Sequence, residues 1–196
     1  SSLIIYKLCN KQYKLIVLVK MWVYDKKEWS DLMEAVETQR LLIRELQLDD
    51  AKRMSEYRNK KEVAFYQSWW RYPYKKAVKR IEYCLEHPFN GDIGSYQLAI
   101  ILKETNQMIG DFYLDVMDSS CVTIGYTFDS LYWDHGYATE TLKKILQILK
   151  DEYHFQFVFA HVYDDNYRSI RLLKRFDFKQ YDSSRILGDI SFKLEL

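Results

Sequence analysis

Trp133-Asp-His-Gly-Tyr-Ala-Thr-Glu140 is the stretch on which the fold turns. It joins an alternating apolar run, Cys121–Phe128, to a segment from about Tyr137 to Lys150 in which Ala138, Leu142, Ile145, Leu146 and Leu149 share one stripe. The hydrophobic period changes from two to 3.6 across the junction, so a strand feeds a helix. A second apolar run, Phe155–Val162, follows. Strand, helix, strand is a crossover whose two strands pair in parallel. At the junction Gly136 lets backbone approach a ligand closely, and the helix start presents free N–H groups and the positive dipole end. The junction is therefore a candidate anion site.

Upstream, Arg40-Leu-Leu-Ile-Arg-Glu-Leu46 reads as a strand, and Asp49-Asp50 supply N-cap chemistry for a helix with Ala51, Met54 and Tyr57 at helical spacing. Residues 75–86 carry Ala77, Val78, Ile81, Cys84 and Leu85 on one face, and Pro88 closes that helix. Tyr96–Lys103, Met108–Val116 and Cys121–Phe128 are separated by the polar turns Glu104-Thr-Asn-Gln107 and Asp118-Ser-Ser120. They predict an antiparallel meander. Downstream, a short helix from about Asn166 to Arg175 and strands near Phe178–Tyr181 and Ile186–Leu194 complete the pattern. The fold class is thus α/β (α+β): a mixed, mostly antiparallel sheet flanked by helices, with one parallel strand pair.

Composition narrows the function classes. The 196 residues are 48% hydrophobic and hold only 6 Gly and 2 Pro, which excludes collagen-like, linker-rich and disordered chains. A net charge of +1 lacks the broad positive field needed for nucleic acid or an anionic membrane. Cys9, Cys84 and Cys121 are widely spaced and odd in number, so neither a disulfide framework nor a zinc site is expected, and a cytoplasmic location fits. His87, His135 and His154 lack metal-ligand spacing, and no metal is predicted. Residues 1–36 read as an extension or a cloning-derived tail, with Met21 or Met33 as candidate starts, and residues 37–196 as one domain. Leu15–Val19 is too short for a membrane span and is read alternatively as an edge strand or dimer contact.

Several ordered motifs carry a family resemblance. Ile124-Gly-Tyr-Thr-Phe-Asp129, Tyr132-Trp-Asp-His-Gly-Tyr-Ala-Thr-Glu-Thr-Leu142 and Asn166-Tyr-Arg-Ser-Ile-Arg-Leu-Leu-Lys-Arg-Phe-Asp-Phe178 resemble the GNAT superfamily of acyl-CoA-dependent N-acetyltransferases. With Thr38-Gln-Arg-Leu-Leu-Ile-Arg44, Leu48-Asp-Asp-Ala51 and Ile109-Gly-Asp111, the likeness is to the branch of the ribosomal-protein acetyltransferases RimJ and RimL. It spans about residues 38–196, and the element order read from periodicity agrees with it.

The resemblance implies roles. The Trp133–Ala138 loop would wrap the pyrophosphate of coenzyme A, with Gly136, Tyr137, Ala138 and Thr139 as principal contacts. Tyr126, Thr127 and Phe128 would form the splayed strand whose main chain pairs with pantetheine and polarises the thioester carbonyl. Asn166 would bind pantetheine or a water, and Ser169, one turn on, would protonate the departing thiolate; Asn166 as a simple helix cap is the alternative.

Three departures from the family pattern stand out. Asp134 and His135 stand in the loop where small or basic residues are usual, and a carboxylate beside phosphate is unfavourable unless it faces solvent. Leu173 replaces a proton-donating tyrosine. Asp177 precedes Phe178 where glycine is usual, and Asp tolerates a left-handed backbone well enough to keep the turn.

The general base is sought among Asp111, Glu140 and His161, with Asp111 preferred because it lies mid-strand beside the expected cleft. His161 reads first as a core histidine and Glu140 as a dipole partner. Phe65-Tyr-Gln-Ser-Trp-Trp-Arg-Tyr-Pro-Tyr74 holds six aromatics in ten residues; Tyr66, Trp69, Trp70 and Arg71 are the candidate acceptor wall, or else a packed loop. The expected activity is acetyl transfer from acetyl-CoA to a primary amine, a protein N-terminus or a small amine, in a ternary complex. A non-catalytic CoA-binding module is the alternative, and a homodimer is the expected assembly if there is one.

Overall fold

The computed structural model describes residues 35–184 and 188–196. The strand expected at Leu15–Val19 lies outside the described residues, as does nearly all of the expected 1–36 extension. Val36, the last residue of that extension, and Glu37 form β1, which pairs antiparallel with β2 (Leu41–Glu45).

Among the described residues eight strands make one sheet in the order β1-β2-β3-β4-β5-β6-β8-β7. The meander is β3 (Gly94–Leu102), β4 (Gln107–Val116) and β5 (Cys121–Phe128). The crossover helix α4 (Tyr137–Asp151) returns the chain to β6 (Phe157–Tyr163), the single parallel neighbour of β5. The helix α5 (Tyr167–Arg175) leads to β7 (Lys179–Ser184) and β8 (Asp189–Glu195). Three earlier helices, α1 (Asp50–Arg58), α2 (Lys61–Ala64) and α3 (Tyr74–Glu86), fill the segment between β2 and β3.

The pleat of β3 shows how the core is divided. Leu98, Ile100 and Leu102 join Phe112, Leu114 and Val122 beneath Leu142, Ile145 and Leu149 of α4 and Leu172 and Leu173 of α5. Their neighbours Ala99 and Ile101 join Met54 and Tyr57 of α1 and Ala77 and Ile81 of α3. Alternate residues thus serve opposite faces, each closed by its own helices. Leu173 is fully buried, so the position of the absent tyrosine is given to packing.

Two helix ends differ in instructive ways. At α1 the expected cap does not form: Asp49 makes no side-chain cap bond, and Asp50 instead accepts from the Gln47 N–H (2.8 Å) and from Arg44 (2.7 Å). At the end of α5, Asp177 takes the left-handed conformation (φ 62°). The Phe178 N–H then donates to the Leu173 carbonyl (3.2 Å) and the Asp177 N–H to Lys174 (3.2 Å), the paired closure normally seen with glycine.

Candidate active site

β5 and β6 are paired only from Cys121/Phe157 to Ile124/Ala160. Beyond that point β5 continues against β4 alone, through Phe112/Tyr126 and Gly110/Phe128, while β6 continues against β8. The β6-facing edge of Gly125–Phe128 therefore carries backbone groups with no strand partner. Into this gap open the loop after β5 and the start of α4.

Gly136 caps α4 at φ 82° without a side-chain hydrogen bond, and the first helical bond runs from Glu140 N–H to the Gly136 carbonyl (3.0 Å). The N–H groups of Tyr137, Ala138 and Thr139 have no intrahelical acceptor, and all three residues line a cleft of about 300 Å³. Tyr126, Thr127, Phe128, Trp133, Asp134, Gly136, Asn166 and Ser169 line the same cleft. The loop is tied to β5 by the Trp133 indole N–H, which donates to the Phe128 carbonyl (3.0 Å). His135 is the one expected coenzyme residue outside the lining; its ring Nδ1–H donates to the Trp133 carbonyl (2.7 Å).

Asp134 takes the left-handed conformation (φ 62°) and pairs with Arg168 of α5 (3.3 Å), whose guanidinium also lies 4.9 Å from the Trp133 ring centre. The carboxylate that departs from the family pattern is thus exposed and accompanied by a cation. Arg168 and Arg175 both line the cleft. Sequence reading missed them, although Arg168, Leu172 and Arg175 recur at i, i+4 and i+7 and so share one helix face.

Asn166 serves as the cap of α5: its side-chain oxygen accepts from the Ser169 N–H (3.2 Å). Because Asn166 also lines the cleft, the cap does not exclude a contact through its amide. The Tyr126 side chain stacks on Phe112 and ends in a buried hydroxyl that makes no well-formed hydrogen bond, with the Ser169 side chain as its polar neighbour. Burial pushes this hydroxyl up to about 12, with nearby Ser169 working against the shift.

The acceptor segment is divided by the structure. Tyr66 lines the cleft with Val63 and Gln67, which sequence reading had not singled out. Trp69 is packed instead: its indole donates to the Arg58 carbonyl (3.2 Å), and its ring stacks on the Arg58 guanidinium (4.4 Å). Trp70 is 90% exposed, and neither it nor Arg71 lines the cleft.

Asp111 does not join the site. It is 1% exposed and accepts from Arg58 (2.6 Å), Gln97 (2.5 Å) and Tyr57, so its oxygens are occupied and it lies outside the cleft lining. Its partners come from α1 and β3, which a strand-local reading does not reveal. His161 is exposed rather than in the core and pairs through Nδ1 with Ser191 (2.8 Å). Burial is the largest single influence on the Glu140 carboxyl and raises it, but the bonds from Thr38 and Arg40 together outweigh it and hold the group below its usual range. Asp129, fully buried, receives Arg53 and Lys60 and caps the turn at Leu131 (3.1 Å). Among the described residues no group of three His, Cys, Asp or Glu is placed to hold a metal ion, and no helix is long and apolar enough to cross a membrane.

A parallel pair that parts around a helix N-terminus is the architecture of an acyl-CoA-dependent transferase. The acetyltransferase (GNAT) domain family matches residues 40–179, and the chain belongs to that family. An uncharacterized N-acetyltransferase of Bacillus licheniformis, p20, is 26% identical over 151 residues, covering 76% of this chain and 84% of the relative. RimL, a ribosomal L7/L12 alpha-N-protein acetyltransferase solved with coenzyme A, aligns with a TM-score of 0.73 at 13% identity, covering 83% of this chain and 98% of its own. The microcin C7 self-immunity acetyltransferase MccE, solved with acetyl-CoA and AMP, aligns with a TM-score of 0.70 at 16% identity, covering 85% and 99%. These two structures share the fold.

Proposed function

We propose that the chain transfers an acetyl group from acetyl-CoA directly to a primary amine, a protein N-terminus or a small amine, in a ternary complex in the cytoplasm. The observation that carries this reading is the parting of β5 from β6 beside the free N–H groups of α4. Those groups fit the cosubstrate: donors for a diphosphate at Tyr137–Thr139, cations at Arg168 and Arg175, and an open strand edge for an extended amide-bearing arm. The Tyr126 hydroxyl, which makes no well-formed hydrogen bond, is a further polar group that a ligand would satisfy. The free thiols of Cys84 and Cys121 suit a reducing compartment.

When bound, acetyl-CoA supplies a thioester carbonyl open to attack by an amine. The residues then have distinct tasks. Backbone N–H groups of β5 beyond Ile124 face the growing charge on the carbonyl oxygen, an electrostatic contribution that needs no side chain. Tyr66 and Gln67 border the cleft where the amine enters, and alignment of the two reactants supplies much of the rate. Ser169 offers a hydroxyl to the departing sulfur. Among the described residues Asp134 is the one carboxylate in the lining and is paired with Arg168, so the proton of the amine leaves to water.

Calorimetric titration with acetyl-CoA, followed by thiol release in the presence of N-terminal peptides and small amines, tests this. One-to-one binding with amine-dependent release is expected. Absence of binding at millimolar acetyl-CoA overturns the reading. Binding without release for any amine makes the chain a CoA-binding module.

A further inference from the structure

Arg40 stands at the turn between β1 and β2, remote in sequence from α4, yet its guanidinium touches three successive residues at the cleft mouth. Its Nη1 donates to the His135 carbonyl (3.0 Å). Its Nη2 lies 3.4 Å from where a Cβ on Gly136 would stand. Its carbon lies 4.5 Å from the centre of the Tyr137 ring. Glu140, in the first turn of α4, completes the arrangement: Oε1 accepts from Thr38 Oγ1 (2.6 Å) and the Arg40 N–H (2.8 Å), and Oε2 accepts from Arg40 Nε (2.7 Å).

We propose that Thr38, Arg40 and Glu140 form a clamp that holds the Trp133–Ala138 loop in its anion-binding shape, Arg40 acting as a positioning residue for the coenzyme diphosphate. The inference rests on the coenzyme reading above. Arg40 is not in the cleft lining, so it acts through the loop rather than on the ligand.

Two physical needs are met together. The loop contains two left-handed residues, Asp134 and Gly136, and such backbone persists where surrounding contacts over-determine it. The Arg40 fork supplies those contacts at the residues that follow Asp134. Glu140 is also a carboxylate at a helix start that is to receive an anion. Pairing with Arg40 cancels its repulsion while leaving the N–H groups free. A lysine would keep the charge but lose the fork that reaches Glu140 and the His135 carbonyl at once.

Affinities for coenzyme A and for pantetheine, which lacks the diphosphate, test the clamp without any acceptor amine. For Arg40→Met the expected result is roughly a tenfold or larger loss of coenzyme A affinity, with pantetheine affinity changed less than about twofold. Arg40→Lys should recover only part of the loss. Thr38→Val, which removes the bond to Glu140 together with the hydroxyl's bonds to the Leu41 N–H (2.9 Å) and carbonyl (3.3 Å), should show the same selective loss at smaller size. Equal losses for both ligands, or no loss for either, overturn the clamp while the coenzyme reading stands. A wild-type chain that binds neither ligand overturns the coenzyme reading, and the clamp with it.

Discussion

The two walls of the cleft are made from different materials. The wall proposed to hold the coenzyme, here the coenzyme wall, is largely backbone: the unpaired edge of Gly125–Phe128, the left-handed Gly136 and the first turn of α4. The wall proposed to face the acceptor, here the acceptor wall, is side chains, Val63, Tyr66 and Gln67, on a segment steadied by buried charge. Arg58, stacked at 4.4 Å on both Trp69 and Tyr72, reaches Asp111 beneath the sheet, while Lys60 and Arg53 converge on Asp129. A backbone wall depends on a few local conformations. A side-chain wall depends on ion pairs that many residues must complete.

Asp111→Ala should strike the acceptor wall hardest. It leaves the Arg58 guanidinium, the Gln97 amide and the Tyr57 hydroxyl buried without their acceptor. A loss of about 3–5 kcal/mol is expected in denaturant titration. A loss below about 1 kcal/mol would show that the acceptor wall does not depend on this network.

Acid should find the same wall through Asp129. Burial raises its pKa, but hydrogen bonds from Lys60, Arg53 and the Leu131 N–H outweigh that and hold it below its ordinary value. A lowered folded-state pKa contributes stability that is present above the unfolded value near 4 and is lost as pH falls through the folded value. Thermal melts from pH 7 down to pH 2 should therefore lose stability below about pH 4, and Asp129→Asn should flatten that limb while lowering the neutral plateau. Glu140, lowered by Thr38 and Arg40 despite burial, contributes in the same direction near the coenzyme wall.

Gly136→Ala tests the backbone wall. A side chain at φ 82° costs on the order of 1 kcal/mol, with the nearest atom, Arg40 Nη2, at 3.4 Å. Stability should fall by about that much, whereas acetyl-CoA affinity should fall further because the loop itself is reshaped. Parallel losses would remove the distinction between the walls.

Tyr126→Phe should have the smallest effect on stability, and with the opposite sign. Its hydroxyl is buried and makes no well-formed hydrogen bond, so removal should leave the melting temperature unchanged or raise it by the equivalent of up to about 1 kcal/mol. A clear loss would reveal a partner for that hydroxyl.

The coenzyme wall was largely legible in the chain. The change of period around Gly136 is local, and so is the stripe Leu142, Ile145, Leu149; helix start, parallel crossover and meander follow from them. The acceptor wall was not. Tyr66, Trp69 and Trp70 look alike as aromatics in a loop, yet one lines the cleft, one packs on Arg58 and one is 90% exposed. Asp111 has the residue type and strand position of a base, and only the arrival of α1 shows that its oxygens are taken. His161 fails for the same reason: its face of β6 was set by the packing around the sheet rather than by its own strand.

By itself the amino-acid order determined the elements, their sequence along the chain and the glycine-bearing junction between β5 and α4, because periodicity, glycine conformation and helix ends act over a few residues. Tertiary structure alone decided which charges pair. Arg40 meets Glu140, Arg53 and Lys60 meet Asp129, and Arg58 meets Asp111 only once the sheet and its helices have closed. Coulombic and hydrogen-bond energies depend on separation in space, and separation along the chain says almost nothing about that.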